Sequence, residues 1–282
     1  MLGLSGIFFW IYHRYVLLPE KTVARLEEKT RQAGDNLDKV RRNYQQIEVL
    51  WGCAFKSFCA LDTETTGIRK ASSKVIQVAL VLFDEGKPAG KRIWYIDPEV
   101  PIPSNASKVN AIYDTDVNGK GNFRYHAPQL KELLERYPLV GHNLYFDVTM
   151  LESEFKRIGQ GLKIRPLYCT MRNTWYDAAI APPVERRLRK GADALSWQTL
   201  ESLASSLGVV PTGQLHDAGV DARLAGECFV ALAEEKLSPI RKRLQQAEAE
   251  YNQMRVKLDA AREQFNKRPW GKSNKHPWGK KP

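Results

Sequence analysis

Five side chains in this sequence combine into a recognisable chemistry. They are Asp62 and Glu64 in Leu61-Asp62-Thr63-Glu64-Thr65-Thr66-Gly67, Asp147 just after His142-Asn143 and Phe146, and His216 with Asp221. Four carboxylates and one imidazole are the equipment for holding two hard divalent cations and hydrolysing a phosphodiester. Each has a plainer reading when taken alone. A lone Asp-x-Glu is usually a solvated strand end, and Asp147, Asp217 or Asp221 can each cap a helix. What points to a metal-dependent nuclease is their joint occurrence, each at the end of an expected element. Period-2 alternation puts Asp62 and Glu64 on one face of a strand. Carboxylates aimed together repel unless a cation lies between them, and oxygen-only ligands favour Mg²⁺ or Mn²⁺. Gly67 then lets the backbone approach a ligand closely.

The elements that must position these groups follow from hydrophobic patterning. Strands are expected at 58–61, 75–83, 92–96, 139–141 and 167–170, with Asp84 to Pro88 a turn between the second and third. Helical spacing covers 129–137, 146–158, 199–207 and 220–232. Early strands form a meander and later ones alternate with helices, so an α/β domain with a mixed sheet covered on both faces is expected. It spans about 52–236.

Two amphipathic helices bracket that domain. Over 21–51, Val23, Leu26, Thr30, Ala33, Leu37, Val40, Tyr44, Ile47 and Trp51 step by three and four. Over 237–265, Leu237, Ile240, Leu244, Ala247, Tyr251, Met254, Leu258, Ala261 and Phe265 do the same. Such heptad seams need a partner. The arms are expected to pair antiparallel within one chain or between two chains; the plainer alternative is packing on the domain as ordinary helices. Each is about 45 Å long at the α-helical rise.

The ends differ again. Residues 1–20 are apolar, but His13-Arg14 breaks the run, which is short for a spanning helix. No cleavable leader is evident. The segment is read either as an interfacial anchor to a membrane surface or as a piece that docks on protein, with the rest of the chain cytoplasmic. Residues 266–282 form a basic tail expected to be disordered, with Pro269-Trp270-Gly271-Lys272 repeated at Pro277-Trp278-Gly279-Lys280. The net charge of +11 is uneven: +2 over 1–51, +1 over 52–237 and +8 over 238–282. A basic extension of this kind attracts polyanions. Cys53, Cys59, Cys169 and Cys228 form no C-x-x-C pair, which argues against a zinc ribbon, and nothing suggests a disulfide framework.

The three motifs resemble those of the DEDD exonuclease superfamily in its histidine-containing branch. That branch includes the proofreading subunit of the bacterial replicative polymerase, ribonuclease T and oligoribonuclease. The matches are L-D-T-E-T-T-G, V-G-H-N-L-Y-F-D ending at Asp147, and H-D-A-G-V-D-A-R with His216 and Asp221. They cover roughly 57–234. The resemblance implies a ribonuclease-H-like fold, with a mixed five-stranded sheet flanked by helices. It implies that Asp62, Glu64 and Asp221 hold one divalent metal, and that Asp62 with Asp147 holds a second near the leaving 3′ oxygen. His216 would be the general base on water. Single-stranded nucleic acid, DNA in preference to RNA, would be shortened from its 3′ end to nucleoside 5′-monophosphates. A 3′–5′ exoribonuclease and a non-catalytic nucleic-acid scaffold are the alternatives.

Polymerase-type proofreaders of this branch usually carry an I-H-G-I-T-like stretch between the first two motifs. Ile112-Tyr113-Asp114-Thr115-Asp116 is read as its counterpart, with Tyr113 a substrate contact. Thr65, Thr66, Asn143 and Phe146 are expected to shape the pocket for the terminal nucleotide. Arg186, Arg187, Arg189 and Lys190 are read as a loop that tracks phosphates. A polymerase or another replication or repair protein is a candidate partner.

Overall fold

The computed structural model describes residues 18–175 and 198–267, with Phe9, Trp10, His13 and Arg14. Most of the apolar segment 2–18, the basic run 186–190 and the tail beyond 267 lie outside the described residues. No helix among the described residues is long and apolar enough to cross a membrane. The chain forms two compact units. One is Ile47–Lys236; the other joins Met1–Gln46 to Leu237–Pro282.

The larger unit is built on one sheet, in the order β3-β2-β1-β4-β5-β6. The strands are β1 (Phe58–Thr65), β2 (Val75–Asp84), β3 (Lys87–Tyr95), β4 (Pro138–Gly141), β5 (Arg165–Cys169) and β6 (Thr174–Trp175). The first five fall where strands were expected, though β1 runs on to Thr65 and β3 starts at Lys87, inside the expected turn, and the two-residue β6 is added at the edge. The β1–β2 and β2–β3 pairs are antiparallel, while β4 runs parallel to β1, and β5 to β4. Glu85 and Gly86 both take positive φ between β2 and β3. That is the requirement of a two-residue turn whose twist matches the strands it joins. β3 is an edge strand, exposed along Lys87, Lys91 and Arg92, and those charges discourage further pairing.

The first half of β1 and most of β2 read as apolar runs because helices cover both faces. On one face Cys59, Leu61, Val78 and Leu80 pack with α4 (Phe123–Arg136) and α5 (Leu144–Arg157), through Leu130, Leu134, Leu151 and Phe155. Two short helices, α2 (Ser104–Asn110) and α3 (Asp114–Val117), precede them. On the other face Phe58 stacks on Phe83 at 4.8 Å and meets Phe229 edge-on at 5.3 Å. Phe229 belongs to α7 (Ala218–Asn266), which follows α6 (Leu200–Leu207). A Cβ on Gly226 would fall 2.2 Å from the Phe83 ring, so only glycine lets α7 lie this close to β2.

The smaller unit contains most of α1 (Leu18–Trp51) and the later part of α7. Within it Glu27 bonds Arg262 at 2.8 Å and Arg41 bonds Glu248 at 3.3 Å. Rising numbers on one helix meet falling numbers on the other, so the arms run antiparallel within the chain. Thr30, Ala33, Leu37, Ala247 and Leu258 are buried along the seam the heptads define. The boundary expected near residue 237 is not a break in the backbone. α7 continues through it for 49 residues, with Pro239 inside.

Candidate active site

The carboxylates gather where β1 ends. β1 and β4 are parallel neighbours, and the crevice beyond the carboxyl ends of such strands is the usual ligand position in α/β sheets. Asp62 and Glu64 leave β1 two residues apart, and Asp221 comes from the first turn of α7. One oxygen from each of the three lies within 4.8 Å of the others. All three residues are half-buried.

Asp147 approaches from α5, across the sheet, and is 2% exposed. Thr63, which points to that side of β1, donates its hydroxyl to Asp147 Oδ1 at 2.7 Å. The Asp147 charge also acts on Asp62. The four expected carboxylates therefore converge, three as a tight group and the fourth held beside Asp62.

His216 is exposed and takes a left-handed backbone, φ 66°. Its N–H donates to Asp221 Oδ2 at 3.0 Å, and its imidazole favours the charged form of that carboxylate. Asp217 is the helix cap, its Oδ1 accepting from the Gly219 and Val220 N–H groups. That leaves Asp221 for other work. Its Oδ1 is buried and has no hydrogen-bond partner among the described residues.

The electrostatics agree with the geometry. Burial, then the charges of Asp147, Glu64 and Asp221, push the Asp62 carboxyl well above the usual range. Burial and the Asp221 charge push Glu64 up to about 8. Burial likewise raises Asp147 and Asp221. A group of acids that resists ionising together is the environment in which a divalent cation substitutes for protons. Hard oxygen donors, with one buried oxygen lacking any partner, fit such an ion.

The expected substrate residues fall into different situations. The Thr65 hydroxyl donates to the Gly67 carbonyl, and the Thr66 hydroxyl accepts from the Lys74 N–H. Both are engaged inside the loop, so the loop presents backbone. Asn143 holds a left-handed φ of 61° at the start of α5 and makes no capping bond. Phe146 is half-buried against the α5 side of the core. Tyr113 is 57% exposed and begins α3.

The polar side chain that this segment sends inward is Asn110. It is 6% exposed, reaches the Thr65 carbonyl at 3.5 Å and favours the charged form of the neighbouring Glu64 carboxylate. Sequence reasoning passed over it. The left-handed Ala111 that follows, φ 54°, is the local feature that turns the chain after it. Gln77, in the middle of β2, was also missed; a polar residue inside an apolar run was its signal.

Fold and site together define an α/β domain whose clustered carboxylates could hold a divalent cation. Residues 59–229 match the model of the RNase_T exonuclease family. The chain is similar to DNA polymerase III subunit epsilon of Treponema pallidum, at 29% identity over 177 residues, covering 62% of this chain and 76% of that protein. It is similar to the 3′-5′ exonuclease DinG of Bacillus subtilis at 30% identity over 103 residues, covering 36% of this chain and 11% of that one. Among solved structures, E. coli exonuclease I in complex with a dT13 oligonucleotide superposes with a TM-score of 0.50 at 18% identity. That match covers 66% of this chain and 43% of exonuclease I, and it is a likeness of fold. The chain belongs to the RNase_T exonuclease family, and its enzyme class is that of a 3′–5′ exonuclease.

Proposed function

We propose that this exonuclease uses two divalent ions, Mg²⁺ or Mn²⁺, to remove nucleoside 5′-monophosphates from the 3′ end of single-stranded nucleic acid, with DNA its main substrate. The observation that carries this reading is the trio Asp62, Glu64 and Asp221, with the Asp221 Oδ1 buried and unbonded beside His216. Asp62, Glu64 and Asp221 would hold one ion, and Asp62 with Asp147 the other. Bound there, the ions supply positive charge to the entering and leaving oxygens and make water a stronger acid. The Thr63 hydroxyl fixes Asp147, so that this carboxylate meets the site in one orientation. His216, exposed at the rim and tethered through its backbone to Asp221, receives the proton of the attacking water. The loop after β1 lays backbone beside Glu64, and Asn143 and Phe146, at the start of α5, would contact the terminal nucleotide. The similarity to epsilon subunits, whose name places them in a DNA polymerase, supports DNA as the main substrate.

Digestion of 5′-labelled single-stranded DNA and RNA of equal sequence tests this, with Mg²⁺ or Mn²⁺ and an Asp62→Ala blank. A ladder that shortens from the 3′ end, in wild type alone and faster on DNA, is expected. Faster loss of RNA would make the chain an exoribonuclease. No ladder on either substrate, with or without metal, would leave a nucleic-acid clamp, and a ladder that persists in EDTA would overturn the two-metal reading. His216→Ala should lower kcat by about 10²- to 10⁴-fold while substrate affinity by fluorescence anisotropy stays within about twofold. Near-normal turnover would remove His216 from the mechanism.

A further inference from the structure

Gln77 is 1% exposed in the interior of β2, where its neighbours are apolar. A buried amide is costly unless both of its ends are bonded. Here Oε1 accepts the Ala218 N–H at 3.2 Å, and the amide nitrogen faces the Tyr95 hydroxyl. Strand register sets Glu64, Gln77 and Tyr95 side by side across β1, β2 and β3. The row therefore begins at a carboxylate of the site and ends at a tyrosine that holds the glutamine in place.

Ala218 opens α7, and its N–H is among the amides that a helix start leaves without an internal partner. Asp217 Oδ1 takes the next two, from Gly219 and Val220. Three residues on stands Asp221, which in turn accepts the His216 N–H. The segment bearing both His216 and Asp221 is thus fastened to the sheet at the cross-strand row that bears Glu64. Catalytic groups must be held within about 0.5 Å to act together, and side chains from different elements meet that demand only when a rigid contact joins the elements.

We propose that Gln77 is a positioning residue of this exonuclease, which sets Asp221 and His216 against Glu64 through the Ala218 amide. It bonds a backbone amide, faces a phenol and is enclosed, so it acts through Asp221 and His216. Tyr95 is its support, because the phenol oxygen fixes which way the amide faces. The proposal rests on the exonuclease reading of the site.

Two readouts on the full chain test it, one of them independent of turnover: kinetics on a 5′-labelled oligonucleotide, and Mn²⁺ affinity followed by electron paramagnetic resonance. Gln77→Met keeps the volume and removes the acceptor for the Ala218 N–H along with the polar amide. It should lower kcat at least tenfold with KM within about twofold, and weaken Mn²⁺ binding several-fold. Gln77→Glu restores an acceptor for the Ala218 N–H and should regain most of the lost kcat. Wild-type kcat and Mn²⁺ affinity in Gln77→Met would overturn the proposal, as would equal losses in both variants. If Gln77→Met does not fold, Tyr95→Phe takes its place. A roughly threefold fall in kcat with weaker Mn²⁺ binding would support the proposal, and wild-type values would refute it. Failure of the exonuclease reading itself is separate, since it would appear as an inactive wild type.

Discussion

Glu64 is the residue whose environment makes the clearest demand on solution conditions. Its carboxyl titrates near 4.5 when free and is pushed up to about 8 in the fold, first by burial and then by the charge of Asp221. Between those values the folded protein holds a proton that the unfolded chain has released. Stability without metal must therefore fall as pH rises through that window. Asp62, Asp147 and Asp221 are shifted in the same direction and add to the slope. A divalent ion binds the ionised form, so its stabilisation should grow with pH. Melting in EDTA and in Mn²⁺ at pH 6 and pH 8 checks this. The EDTA midpoint should drop at the higher pH and the Mn²⁺ increment should widen; Glu64→Gln should flatten the EDTA slope. An increment that shrinks toward pH 8 would argue against these carboxylates as the metal site. At this scale the clustered carboxylates Asp62, Glu64 and Asp221 were legible because each stands in a motif with a distinctive neighbour. Asn110 and Gln77 were not, since a lone amide in the sequence carries no sign of what it will bond. Only the register of β1, β2 and β3 brings Gln77 beside Glu64.

The loop between β1 and β2 shows how an element is kept in shape by charge. Glu154 on α5 is 2% exposed, accepts the Val75 N–H at 3.1 Å and pairs with Arg157 at 2.7 Å. Arg157 then donates to the carbonyls of Lys70 and Ala71, at 2.8 and 3.2 Å. One guanidinium thus ties α5 to the loop that lays backbone beside Glu64. Arg157→Met would leave a buried carboxylate short of its charged partner, at a cost of about 1–3 kcal/mol. The loop would also lose its tether. The expected result in denaturant titration and kinetics is lower stability together with a raised KM and a nearly unchanged kcat. A wild-type KM would show that the loop holds itself. The strands of this domain were readable from β-branched and aromatic runs between turn residues. β6 was not, because two residues at an edge leave no pattern. The continuity of α7 was hidden for a different reason. Pro239 and a change of seam near 237 resemble a break, yet the helix passes through both.

At the scale of the whole molecule, the seams of α1 and α7 make a prediction separate from the chemistry. An isolated helix with a heptad stripe exposes apolar surface, and pairing within one chain hides it without a second copy. Leu37 and Leu258 are each 6% exposed in this arrangement, while the Glu27–Arg262 and Arg41–Glu248 pairs have both partners substantially exposed. Exposed ion pairs contribute about 0–1 kcal/mol, so the apolar seam must supply most of the arm's stability and the charges mainly its direction. Leu37→Ala with Leu258→Ala should then cost the arm about 2 kcal/mol or more for each site. Circular dichroism should show helix lost at a lower temperature, while kcat on a short oligonucleotide stays at the wild-type value. Reversing only Arg41 and Glu248 should shift melting little. Because the pairing is intramolecular, the melting midpoint should not move over a hundredfold range of protein concentration. A midpoint that climbs with concentration would mean that the same seams join two chains, and light scattering would then give twice the 32.2 kDa of one.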